Sequence, residues 1–132
     1  MKKKKTRDLF KQYQQRYPTL HSQSSYLYKD DCYHISIPSK KAPLCAWINE
    51  EQDGFIVGLD WLHQHFDYIY ENERVTALQD AFEQLDAILE GRVVALYEKT
   101  SNEIRWVMAN EEAHQLMKEQ PDVYRLEKFE RP

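Results

Sequence analysis

The fold is decided by residues 75–108, VTALQDAFEQLDAILEGRVVALYEKTSNEIRWVM. In the first half Val75, Leu78, Ala81, Phe82, Leu85, Ile88 and Leu89 recur at intervals of three and four, the stripe of a helix packed on a core. Thr76-Ala77-Leu78-Gln79 has capping-box spacing, with room for a start a few residues earlier. Gly91 stands where a left-handed C-terminal cap is wanted. The second half reads as two strands, Arg92 to Glu98 and Glu103 to Met108, joined by the hairpin loop Lys99-Thr100-Ser101-Asn102.

Working outward, Leu9, Phe10, Tyr13 and Tyr17 mark an amphipathic first helix that Pro18 stops, and Thr19 to Ser25 is a polar connector. Tyr26 to Ile37 reads as one strand, with Leu27, Tyr33, Ile35 and Ile37 of one parity. Pro38-Ser39-Lys40-Lys41 is a turn before a short strand from Leu44 to Ile48. Asn49 to Gly54 is a turn ending in Asp-Gly, and a third strand runs from Phe55 to Tyr68 or Tyr70 with a bend near Gly58. Downstream, Asn110 caps a helix through Glu119 that turns Ala113, Leu116 and Met117 inward, and Pro121 ends it. Val123 to Phe129 alternates like an edge strand. The sum is a single α+β domain over residues 1–132. It should hold a mainly antiparallel sheet of about five strands, a central covering helix, and N- and C-terminal helices.

Composition supports a globular chain: 132 residues, 42% hydrophobic and 30% charged, with 3 Gly and 5 Pro. The net charge of −4 is unevenly spread. Lys2 to Lys5, Arg7, Lys11 and Arg16 face only Asp8 in the first sixteen residues, so the rest of the chain is strongly acidic. Residues 1–7 read as a basic, partly disordered tail. An acidic body repels phosphate, which argues against nucleic acid and for a basic protein partner. No apolar stretch follows the lysines as a secretion signal would require, and none is long enough to span a membrane, so a cytoplasmic protein with no membrane partner is expected. Cys32 and Cys45 are expected to stay reduced.

The candidate site is Gly58-Leu59-Asp60-Trp61-Leu62-His63-Gln64-His65-Phe66-Asp67. On a strand of period two, Trp61, His63, His65 and Asp67 share one face. Two chemistries follow. Cys32 and His34 form a second two-apart pair, and if the two pairs lie on adjacent strands the four side chains approach a zinc shell, the site of a metal-binding protein or zinc-dependent hydrolase. Alternatively, the surplus aromatic residues, ringed by carboxylates, form a protein-recognition surface in which Trp61, His63, His65, Asp67, Tyr68 and Glu71 bind a partner. Nucleophilic catalysis has little support: no helix N-terminus follows Cys32, the serines lack a nucleophile elbow, and glycine is too scarce for a phosphate loop. Asp30/Asp31 and Glu50/Glu51 read as solvated turn charges.

The run Trp61 to Asp67, the helix Val75–Leu89 and the strand Gly91-Arg92-Val93-Val94-Ala95-Leu96 resemble a family of small, mostly uncharacterised bacterial proteins. Its members share a W-x-H-x-H-F-[DE] strand, a helix and a G-[RK]-hydrophobic strand, and some resemble candidate immunity proteins of polymorphic-toxin systems. The likeness covers residues 55–98 and brings no catalytic residues with it. It implies a binding module. With the acidic body and the surplus aromatic residues, the expectation is a non-enzymatic protein that binds another protein, a basic toxin being the concrete case, and needs no cofactor. Exposed strand edges would also allow a homodimer.

Overall fold

A computed structural model describes residues 2–16, 25–29, 32–40 and 44–130 of the chain. The protein is α+β. Helix α1 (Lys2–Gln15) is followed by strands β1 (Ser25–Lys29), β2 (Cys32–Pro38), β3 (Cys45–Glu51), β4 (Gly54–Leu59) and β5 (Leu62–Asp67). A short 3-10 turn (Glu71–Glu73) leads into α2 (Arg74–Leu89), then β6 (Val93–Glu98), β7 (Ile104–Ala109), α3 (Asn110–Glu119) and β8 (Tyr124–Glu127).

The strands form two antiparallel sheets instead of one of about five strands. The first is a meander in the order β1-β2-β3-β4-β5, and the second has the order β7-β6-β8. Two of the expected long strands are hairpins. Residues 25–38 fold as β1 against β2, with Tyr26 opposite Ile35. The run from Phe55 reverses not at Gly58 but at Asp60-Trp61, so that β5 returns along β4 with Gly58 opposite His63. Asp60 makes that reversal with φ +55°, a left-handed conformation that Asp tolerates better than most side chains. The tail strand is found as β8, an edge beside β6.

Helix α2 lies over one face of the meander. Leu78, Ala81, Leu85 and Ile88 are buried against Ile48, Phe55, Val57 and Leu59 in the main core. It begins at Arg74, two residues before the expected box, because the 3-10 turn supplies the start: the Tyr70 amide donates to Glu73 Oε1 at 3.1 Å. Gly91 does terminate it, at φ +77°, with the Arg92 amide donating to the Ala87 carbonyl. Helix α1 packs on the same side, and it includes the basic run expected as a loose tail. Thr6 in its second turn is buried and accepts a hydrogen bond from Arg74 Nε at 3.0 Å. The stop at Pro18 and the connector after it lie outside the described residues.

The second sheet puts Ala95, Tyr97 and Ile104 into the main core. Its other face, with Val94 and Leu96, meets Ala113 and the half-buried Leu116 and Met117 of α3. Asn110 opens that helix without capping it; no side-chain cap hydrogen bond forms. Among the described residues, no helix is long and apolar enough to cross a membrane.

A buried charge cluster joins these elements. Glu50 follows Ala46 and Ile48 on the inward parity of β3, so it points into the core while Glu51 points out. The expectation of two solvated turn charges therefore fails for Glu50. Its Oε2 meets Arg74 Nη2 at 2.6 Å, with 0% and 4% of the two side chains exposed. Arg74 also donates to the Tyr68 hydroxyl and lies over the Phe55 ring at 5.2 Å. Burial disfavours the guanidinium's charge, but the hydrogen bonds to Tyr68 and Glu50 outweigh it and push its pKa above the usual arginine value.

Candidate functional site: the outer face and edge of the meander

Because α1 and α2 occupy one face of the first sheet, the alternate residues of each strand form the other face. Pairing across β2, β3, β4 and β5 aligns them in rows. One row is Ser36, Trp47, Gly58 and His63; the next is His34, Asn49, Ile56 and His65. The two candidate pairs thus share a face but not a neighbourhood. Strands β2 and β5 are three spacings apart in the sheet, about 14 Å at 4.8 Å per spacing. Cys32 and His34 do not converge with His63 and His65, and among the described residues no group of three or more His, Cys, Asp or Glu is placed to hold a metal. His34 Nδ1 instead hydrogen-bonds Asn49 Oδ1. Cys45 Sγ lies 2.9 Å from Ser36 Oγ.

Within β5 the period-two reading holds. His63, His65 and Asp67 are exposed on one parity, and the two imidazoles sit edge to face with ring centres 5.2 Å apart. His63 Nδ1 is 3.2 Å from the Trp61 carbonyl, which only accepts, so Nδ1–H is the donor. His65 Nδ1 is 3.9 Å from Asp67 Oδ1. Trp61 belongs to the turn rather than the strand and is 64% exposed. Tyr68 is half-buried and serves the fold: its hydroxyl takes the Arg74 hydrogen bond. Burial raises its pKa, and the nearby Glu71 and Asp53 carboxylates add to that against the opposing pull of Arg74. Glu71 is exposed in the 3-10 turn.

Sequence reading gave no role at the site to Trp47, Gly58 and Asp60, which set the shape of this face. The Trp47 indole lies across β4 toward His63, with ring centres 6.2 Å apart, and its Nε1–H donates to the Asp60 carbonyl at 2.6 Å. It can do so only because residue 58 is glycine: a Cβ there would overlap the Trp47 Cε2 and Cζ2 atoms and stand 2.6 Å from Nε1. The Asp60 carboxylate accepts from the Cys45 amide at 2.9 Å and from the Tyr97 hydroxyl at 3.0 Å, tying the turn to the second sheet. Burial, then this carboxylate, holds the Tyr97 hydroxyl well above the usual tyrosine pKa. Gly58→Ala should therefore displace the indole and lower stability by about 1–3 kcal/mol, the usual cost of overpacking. Tryptophan fluorescence and a denaturation midpoint would read both effects; an unchanged emission maximum would refute the account.

Beyond β5 the chain exposes apolar bulk again, with Ile69 at 89% and Tyr70 at 69%. The sequence here is acidic, with Arg92 and Arg105 from outside the segment lining the clefts beside β5. Between Ala42 and Gly91 the sequence holds eleven carboxylates and one basic residue, Arg74, and Arg74 is buried against Glu50. A cleft of about 280 Å³ beside this segment is lined by Phe66, Asp67, Glu73 and Asp80. Comparison with protein-family models, curated proteins and solved structures found no match to this chain.

Proposed function

We propose that this chain is a non-enzymatic protein-binding module that engages a basic protein along the β5 edge of the meander. The observation that carries the reading is exposed apolar bulk, Trp61 at one end of β5 and Ile69 and Tyr70 beyond the other, within residues 42–91, which hold eleven carboxylates and one basic residue, the buried Arg74. Six strand residues span about 20 Å, a length suited to an interface of about 800 Å² per partner. Aromatic anchors supply the binding energy in such interfaces, and rim charge supplies encounter rate and discrimination. An immunity protein neutralising a basic toxin is the most concrete form of this reading, supported by the acidic composition of residues 42–91 and the exposed aromatic residues beside β5. The zinc hydrolase alternative loses its premise, because its four ligands stand on strands that are not neighbours.

The test compares the tagged full chain with Asp67→Lys/Glu71→Lys and Trp61→Ala in affinity capture followed by native mass spectrometry. A basic polypeptide should be held by the parent chain and released by salt. The charge-reversed and Trp61→Ala variants should each hold it about tenfold less well. Retention indifferent to all three changes, or a complex containing only a second copy of this chain, would overturn the proposal.

A further inference from the structure

We infer that His63 and His65 form a two-imidazole site for a divalent transition-metal ion, with copper(II) and zinc as the ions its chemistry suits. The inference is separate from the partner-binding reading and from the four-ligand shell that the topology dismantles. It rests on three features of β5. First, the residues are two apart on one strand, so both rings project from the same face. Second, their centres stand 5.2 Å apart; two imidazoles ligating one tetrahedral ion at 2.0–2.1 Å have centres about 5 Å apart. Third, the Nδ1 of His63 already has an outer hydrogen-bond partner, and that of His65 has a carboxylate nearby. His63 donates Nδ1–H to the Trp61 carbonyl at 3.2 Å, and His65 Nδ1 faces the Asp67 carboxylate at 3.9 Å.

Metal-binding histidines usually show this arrangement, a ring N–H given to a carbonyl or carboxylate so that the other nitrogen presents its lone pair. For His63 the arrangement fixes the tautomer and leaves the Nε2 lone pair for a ligand. Trp47 against His63, at 6.2 Å between ring centres, limits the swing of that ring. Both side chains are exposed, so an ion would enter without opening the fold. Two protein ligands leave the remaining coordination positions open to water or to a donor from another molecule. Imidazole sites of this kind follow the Irving–Williams order, which places copper(II) above zinc.

The test uses the untagged full chain, titrated with Cu²⁺ and separately with Zn²⁺ by calorimetry, with tryptophan fluorescence as a second readout for the copper titration. One ion should bind per chain, copper more tightly than zinc, and copper should quench emission because Trp47 adjoins His63. His63→Ala and His65→Ala should each weaken binding at least tenfold, while His114→Ala, an exposed histidine on α3, should match the parent. Circular dichroism of each variant would confirm that the fold persists. Either of two results would overturn the inference: no copper binding by the parent chain, or binding that survives unchanged in His63→Ala or His65→Ala.

Discussion

Arg74→Met is expected to destabilise the protein by about 3–5 kcal/mol, because it leaves a buried carboxylate without its counter-ion. Arg74 and Glu50 expose 4% and 0% of their side chains. With the guanidinium gone, Glu50 would retain, among the described residues, the Tyr33 amide, a weak donor at 3.3 Å. Thr6 and Tyr68 would lose their Arg74 hydrogen bonds as well, and with them the link from α2 to α1 and to the end of β5. Native domains are stable by about 5–15 kcal/mol in total, so the loss should be plain in a urea midpoint. The companion variant separates charge from connectivity. Replacing both partners, Glu50→Leu with Arg74→Met, removes the stranded charge and should recover most of the loss, since apolar replacements of buried pairs are often neutral. A double variant as unstable as the single one would show that the contacts to Thr6 and Tyr68 hold the elements together, and not the ion pair.

The cluster also shows where the sequence was legible and where it was not. The alternation Ala46, Ile48, Glu50 already directs Glu50 inward, and Arg74 is the sole basic residue over a long acidic stretch. Those two facts together point to a buried pair, but composition at a turn suggested solvated charge. Helix α2 was readable because its apolar stripe and its Gly91 cap agree, and agreement between levels is what fixes an element. The β4–β5 reversal was not. Asp60-Trp61 lacks the Asn-Gly or Gly-Gly signature of a two-residue hairpin, and the left-handed Asp60 is held by tertiary contacts with Cys45 and Tyr97. Missing that reversal did not disturb the parity of His63, His65 and Asp67, since a strand keeps its period whichever way it runs. It did hide their distance from Cys32 and His34, because strand order, unlike parity, is not written in a local pattern.

Phe10→Ala should have an effect of similar size, about 3–5 kcal/mol, by opening a cavity where α1 meets the sheet and α2. The Phe10 ring is 0% exposed. It stacks on Tyr33 at 5.6 Å, tilts against Phe55 at 6.1 Å and meets Phe82 edge-on at 5.3 Å. Those partners belong to β2, β4 and α2, so one side chain closes the helix onto three elements. Tyr13 would still hold α1, through its stack on Phe82 at 4.3 Å and its hydroxyl bond to Asp86 at 2.8 Å, together with the Thr6–Arg74 hydrogen bond. A thermal midpoint that fell by only a degree or two would mean that α1 is an appendage and that the core closes without it. The substitution also divides folding from recognition, because Phe10 lies on the helix-covered face and the β5 residues on the other. At temperatures where it is still folded, Phe10→Ala should keep partner and metal binding intact, whereas Trp61→Ala or His65→Ala should leave the midpoint nearly unchanged and lose the ligand. Coupled losses in Phe10→Ala would place the ligand-binding strand under the control of α1, with β4, which packs against Phe10 and pairs with β5, as the route between them.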